Sequence, residues 1–163
     1  MRTTSKIKWW YFVPVVPIAL LLFGRKAKAQ ASGRPKLGPA QQRIADAVSA
    51  EAVRQGVDPR IALAYTEIES NFKSVTNGVS YGPLQVNAKY YKGPANDLLG
   101  PAGIVEGIKI LKHYLEAAGG DPELGRVMYL CGIAGSKDPA KCSEATKARV
   151  RARWQAISPK WGL

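Results

Sequence analysis

From Ala40 to Gln55 the apolar residues Ile44, Val48, Ala52 and Val53 recur at helical spacing and Gly56 follows as a stop, so the pattern predicts a first helix. Asp58-Pro59 then restarts the chain, with Asp58 placed to cap and Pro59 at the first helical position. Ile61, Tyr65 and Ile68 form one apolar stripe on this second helix, which runs into Glu69 and Ser70. There the helical period stops. Asn71 to Pro83 contains Asn77-Gly78 and Tyr81-Gly82-Pro83, which reads as a loop with a small hairpin. Helical spacing returns at Ile104, Ile108, Leu111 and Leu115, ending at Gly119, and Asp121-Pro122 caps a fourth helix carrying Leu124, Val127, Met128 and Cys131. In a last helix Val150, Trp154 and Ile157 face the core, while Lys147, Arg149, Arg151 and Arg153 read as a solvated face, the alternative being loose contact with an anionic polymer. The fold class is α+β, predominantly α-helical, with a small loop and hairpin region. No internal repeat and no phosphate-cradling glycine fingerprint is present.

The N-terminal pattern differs in kind. Trp9 to Gly24 is uncharged and strongly apolar, with Lys6 and Lys8 before it and Arg25, Lys26 and Lys28 after it. Its 16 residues are fewer than the roughly 20 that span a bilayer comfortably. They match a long signal-peptide core, and Ala27-Lys28-Ala29 supplies a small-x-small cleavage pattern before Gln30. Bases at both ends give the segment no clear orientation, and Trp9, Trp10 and Tyr11 suit a membrane interface. Residues 1–29 are therefore a signal peptide or an N-terminal membrane anchor, both readings standing. Residues 30–39, rich in Gly, Pro and bases, are a linker, and 40–163 the folded domain.

Composition narrows the chemistry. With 163 residues, 46% of them hydrophobic and 22% charged, the chain holds one globular domain and a short appendage, which excludes collagen, coiled coil and disorder. The net charge of +12 raises the question of an anionic partner. The run of bases from Arg2 to Lys36 precedes the first acid, Asp46, so most of the excess belongs to targeting, and no nucleic-acid partner is expected. Two cysteines and the lone His113 leave no zinc knuckle and no multi-histidine metal site, so no metal and no cofactor is implied. His113 shares a polar helix face with Lys109, Lys112 and Glu116 and reads as surface. Trp154 and Trp161 read as core or tail packing rather than sugar platforms. Cys131 and Cys142 flank a short Gly- and Pro-containing loop, and in an exported protein they are expected to form a disulfide, the alternative being a buried Cys131 with Cys142 free.

One carboxylate is placed for chemistry. Glu67 and Glu69 lie two residues apart on one helix, about 200° apart in projection, so they cannot face the same cleft. Glu69 sits at the helix C-terminus, where burial and the negative end of the macrodipole favour its protonated form. A general acid that protonates a glycosidic oxygen needs that property, although on these residues alone a capping or surface carboxylate is the alternative reading.

Glu69-Ser70-Asn71-Phe72 followed by Tyr81-Gly82-Pro83-Leu84-Gln85-Val86-Asn87 resembles the lysozyme superfamily, both lytic transglycosylases of the SLT type and chicken-type lysozymes. Gly82-Pro83-Leu84-Gln85 matches the first and last positions of the transglycosylase Gly-Leu-Met-Gln, and Tyr129-Leu130-Cys131-Gly132 stands in the place of Tyr-Asn-x-Gly. Gly107 to Leu115 looks like the helix that precedes it. The resemblance implies a lysozyme-like fold with the hairpin beside the cleft, and cleavage of the β-1,4 bond between N-acetylmuramic acid and N-acetylglucosamine in peptidoglycan. It makes Glu69 the single acid/base and gives Ser70, Gln85 and Tyr129 the work of orienting the sugar or the carboxylate. Gly82 would admit the glycan close to the loop backbone, and Asn87 would line the cleft. The chain departs from the pattern at Leu130 and Pro83 and in a shorter loop after Glu69.

The reaction type turns on Ser80. Chicken-type lysozymes carry Asp just before Tyr-Gly as the second carboxylate, and a serine cannot take that part. The resemblance then implies transglycosylase chemistry, in which the sugar's own N-acetyl group attacks and Glu69 deprotonates the 6-hydroxyl to form 1,6-anhydro ends. Asp97 is the later acid that a hydrolase would use. The implied partners are peptidoglycan glycan strands and the cytoplasmic membrane, in the periplasm or on the membrane's outer face, with secretion, conjugation or phage-assembly components as settings. A muramidase and a non-catalytic, membrane-tethered peptidoglycan-binding module are the alternatives.

Overall fold

The structure, a computed structural model, describes residues 35–163. The signal peptide or anchor expected over 1–29 lies outside them, as does most of the 30–39 linker. Among the described residues no helix is long and apolar enough to cross a membrane.

Five helices carry the fold: α1 (Pro39–Gln55), α2 (Pro59–Ser70), α3 (Pro101–Ala117), α4 (Pro122–Lys137) and α5 (Glu144–Ile157). With the two-stranded hairpin between α2 and α3 this is a predominantly helical α+β protein. The punctuation residues act as their chemistry dictates. Gly56 ends α1 in the left-handed conformation at φ 74°, which glycine adopts without a Cβ clash. Asp58 accepts the Arg60 N–H at 2.9 Å at the start of α2, and Asp121 accepts the Glu123 and Leu124 N–H groups at the start of α4.

α2 is the core helix, and here the structure departs from the expected single stripe. Ala62, Leu63, Ala64, Tyr65 and Thr66 are all buried in succession, so the helix is enclosed rather than one-sided. The small alanines let α1, α5 and the C-terminal 3-10 turn Ser158–Trp161 approach it closely. Thr66 remains soluble in this core because its hydroxyl donates to the Ala62 carbonyl at 2.8 Å. Tyr65 packs edge-on against Trp154, ring centres 5.5 Å apart, and its hydroxyl reaches the Pro122 carbonyl at 2.9 Å. Trp154 and Trp161 are both buried, as core packing requires.

α5 corrects a second expectation. Bases at every other position cannot share one helical face, because alternate residues point about 200° apart. Lys147 is buried on the same side as Val150 and Trp154, its ammonium donating to Glu144 at 2.8 Å. Arg149 and Arg153, one turn apart, project elsewhere and are exposed, and Arg151 lies 3.7 Å from Glu123 of α4.

The hairpin pairs β1 (Ser80–Tyr81) with β2 (Val86–Asn87), Ser80 opposite Asn87 and Tyr81 opposite Val86. Asn77-Gly78 makes a smaller turn just before it, with Thr76 bridging to Tyr81. Asn77 accepts the N–H groups of Val79 at 3.0 Å and Ser80 at 2.8 Å, an Asx turn. The hairpin is pressed onto α3 through Leu84, which is wholly buried. A Cβ at Gly107 would stand inside the space Leu84 occupies. Sealing a leucine in this way stabilises by about 2 kcal/mol.

Candidate functional site

Glu69, on the last turn of α2, lies in the wall of an open cleft of about 450 Å³. One side of the cleft comes from the hairpin region, with Asn77, Ser80, Gln85, Val86, Asn87 and Tyr90. α3 supplies Ile110 and Tyr114, and α4 supplies Tyr129 to Gly132. The lining is mostly neutral and polar with aromatic surface, a combination suited to hydroxyl- and amide-bearing rings. Among the described residues Glu69 is the sole carboxylate in it.

Why Glu69 faces the cleft follows from its neighbour two residues back. The Glu67 carboxylate accepts the Lys160 ammonium and the Trp161 indole N–H, each at 2.8 Å, and so pins the C-terminal turn to α2. Glu69, on the opposite side of the helix, meets α4 instead. There Arg126 Nη2 lies 2.7 Å from its Oε1, and both side chains are largely removed from water. Burial pushes the Glu69 carboxyl above the usual carboxylate range; the guanidinium groups of Arg126 and Arg153 pull it back without cancelling the rise.

Arg126 is held in an unusual way. Its guanidinium carbon lies 5.5 Å from the ring centre of Tyr65 and 5.6 Å from that of Tyr129, within cation–π range. Its Nε and Nη1 have no hydrogen-bond partner among the described residues. Sequence reasoning passed over this residue. The available signal was a lone base at 126 inside the apolar run Leu124 to Met128, a position that must find a buried partner.

The remaining expected site residues meet around the loop backbone. Ser70 Oγ donates to the Pro83 carbonyl at 2.7 Å, and Tyr129 Oη donates to the Leu84 carbonyl at 2.6 Å. Burial and the adjacent Glu69 raise the Tyr129 phenol, which keeps it a donor. Gln85 takes a positive φ of 51°, and its amide donates to the carbonyls of Val75 at 3.0 Å and Gly82 at 2.9 Å. Gln85 and Tyr129 also border the cleft, whereas Ser70 does not. Gly82, at φ 79°, is required for a different approach from the one expected: a Cβ there would strike the Leu98 carbonyl in the 3-10 turn Ala95–Leu99. Its bare side therefore faces Leu98, and the residue is not in the cleft lining. Asn87 lines the cleft and accepts the Lys89 N–H at 2.9 Å. Asp97 is exposed and outside the cleft, and His113 is exposed on α3.

α4 breaks at the cleft. Gly132 has φ 72° and ψ 161°, a conformation open in practice only to glycine, so the helix kinks there and turns its backbone toward the cavity. Cys131 beside it is disulfide-bonded to Cys142, with a Cα separation of 5.7 Å.

Asn77, Tyr90, Ile110 and Tyr114 were not anticipated as lining residues; Asn77 sits in irregular backbone and Tyr90 at the end of a single 3-10 turn, Ala88–Tyr90, neither of which a periodicity reveals. No family model, curated protein or solved structure matches the chain.

Proposed function

We propose that the chain is a peptidoglycan lytic transglycosylase with a lysozyme-like fold, exported or anchored so that it acts at the periplasmic side of the membrane. The observation that carries this reading is a single buried carboxylate, Glu69, in a neutral, hydroxyl-lined cleft with Ser80 and no second acid in the lining. The Glu69-Ser70-x-Phe72 and Gly82-x-Leu84-Gln85 segments support it by resemblance.

A lone glutamate has to act twice. Burial raises the proton affinity of Glu69, and in its protonated form it gives that proton to the glycosidic oxygen as the bond to the muramyl anomeric carbon breaks. The N-acetyl oxygen of the same sugar bonds to that carbon, in place of a protein nucleophile. Glu69, now ionised, accepts the 6-hydroxyl proton as the 6-oxygen bonds to the anomeric carbon and the N-acetyl oxygen leaves. No water is consumed, and Glu69 ends protonated. Arg126 suits this cycle, because its guanidinium steadies the ionised form between the two transfers while burial restores the acid form. The attacking hydroxyl is tethered to the reacting sugar, so its effective concentration exceeds that of water entering the cleft.

Mass analysis of fragments released from cell-wall sacculi tests the reading. The expected ends are 1,6-anhydromuramyl, lighter by one water than hydrolytic ends and inert to borohydride. Predominantly reducing ends would make the protein a muramidase, and retention on sacculi without release would make it a binding module.

A further inference from the structure

A second cavity, of about 500 Å³, adjoins the first and shares Glu69 and Leu130 with it. Its character is opposite. Arg149 and Arg153 of α5 stand one turn apart and both line it, Arg126 forms part of its wall, and Glu69 is its sole carboxylate among the described residues. Neither Arg149 nor Arg153 forms an ion pair among the described residues. Arg149 makes a 3.4 Å contact with the Thr146 hydroxyl. The Arg126 side chain is only 6% accessible, and two of its nitrogens lack partners. Three guanidinium groups thus converge on a cavity whose single acid is already paired. Arg126 is largely removed from water with two nitrogens unpartnered, and the exposed Arg149 and Arg153 add unpaired positive charge beside it, so the local field favours entry of an anion.

We infer that this basic cavity binds a carboxylate carried by the substrate, immediately beside the sugar whose bond Glu69 cleaves. Carboxylates fit guanidinium groups in planar, doubly hydrogen-bonded pairs, which favours arginine over lysine at such a place. The inference rests on the transglycosylase reading for the identity of the sugar. In peptidoglycan the carboxylate has two sources, the lactyl group of a bare muramyl residue and the carboxylates of an attached peptide stem. The neutral arm of the cleft would then hold the glycan, and the basic arm would set which substituent the bound strand must carry.

Binding of non-cleavable products to the full chain tests this without turnover. The probes are the N-acetylglucosaminyl-1,6-anhydromuramyl disaccharide as its free lactyl acid, the same disaccharide bearing a tetrapeptide stem, and the methyl esters of both. At least one acid should bind more tightly than its ester, and Arg149→Gln with Arg153→Gln should weaken that acid about tenfold, the loss expected for charge-assisted hydrogen bonds, while leaving the esters unchanged. Whichever acid shows the difference identifies the source. Both positions are exposed and glutamine is a good helix former, so α5 tolerates the changes. Equal affinity for acid and ester, no measurable binding of either acid, or equal loss of acid and ester in the variant overturns the inference. Failure of the transglycosylase reading shows separately, as reducing ends or no release from sacculi.

Discussion

On the hairpin side of Glu69 the cleft wall is held by main-chain carbonyls; on its α4–α5 side lies the adjoining cavity, lined by guanidinium groups. Pro83, Leu84, Gly82 and Val75 each accept a side-chain donor, from Ser70, Tyr129 and Gln85, and these bonds fix the turn between the two short strands and the loop before them. In the adjoining cavity, Arg126 and Arg153 act on Glu69 through charge. The first wall supplies shape, and the second lowers the proton affinity that burial gives Glu69. The two can be separated, because a polar residue that builds the first wall should alter binding geometry without moving the ionisation of Glu69, and a base in the second should do the reverse.

The largest expected effect belongs to the residue between the walls. Glu69→Gln keeps size and one acceptor for Arg126 but removes the transferable proton, so wall-lytic activity should fall at least about a hundredfold. Glu67→Gln should leave activity near the wild-type value and lower stability by about 1 kcal/mol, because glutamine keeps one acceptor for the two donors, Lys160 and Trp161, and loses the charge that pairs with Lys160. Equal losses of activity in both variants would dissolve the distinction between the two sides of α2.

The second wall is tested by pH. Arg126→Met removes the principal group that lowers the Glu69 carboxyl, so Glu69 should hold its proton to higher pH. Because the first chemical step needs the protonated form, the alkaline decline in activity should move upward in Arg126→Met and stay in place in Tyr129→Phe. Stability carries the same sign. With the folded-state pKa raised above the unfolded one, the contribution is fully present below the ordinary carboxylate range and is lost as pH rises through the folded value. Thermal unfolding of Glu69→Gln should lack that segment of the pH profile.

Much of this was legible beforehand where one residue decides one local event. Asp58, Asp121 and Gly56 mark helix ends because each satisfies or permits a specific backbone geometry, and Glu69 could be separated from Glu67 by helical projection alone. What escaped the sequence depends on neighbours brought from elsewhere. Arg126 acquires its meaning from α2, and the burial of Lys147 from the way α5 lies on the core. Ser70 and Gly82 were legible as residues that matter but not in what they do: their partners, Pro83 and Leu98, are loop atoms whose positions no period predicts. The basic cavity was hidden for another reason. Alternating bases on α5 look like one charged surface in one dimension and divide into separate faces only when wound at 100° per residue.

A third effect concerns the rim that joins the two walls. The Cys131–Cys142 bridge closes a loop of 11 residues' separation directly after the cleft residues Tyr129 and Leu130. In the chain-entropy model such a loop stabilises by about 3 kcal/mol. Reduction, or Cys131→Ser with Cys142→Ser, should lower the unfolding free energy by roughly that amount, read from denaturant curves with midpoint and slope fitted together, because the unbridged unfolded chain is less compact. Two titratable thiols in the protein prepared without reductant would remove the bridge from the account.

The smallest effect is the most specific to the first wall. The Tyr129 hydroxyl makes one hydrogen bond, to the Leu84 carbonyl, while its ring packs on Tyr65 and Tyr114 with centres 5.6 and 5.7 Å away. Tyr129→Phe keeps the ring and deletes the bond, so stability should fall by only about 1 kcal/mol. Activity should fall further than stability, because Leu84 carries the adjacent Gln85 and the freed carbonyl lets that side of the cleft drift; a displacement of an ångström in a positioning element costs up to about a hundredfold in rate. Leu84 itself stays seated against Gly107, so the hairpin should remain folded and the loss should appear in kcat/KM, with the pH profile of Glu69 unmoved. A change in that profile equal to the one in Arg126→Met would mean that the two walls act on Glu69 through one network rather than two.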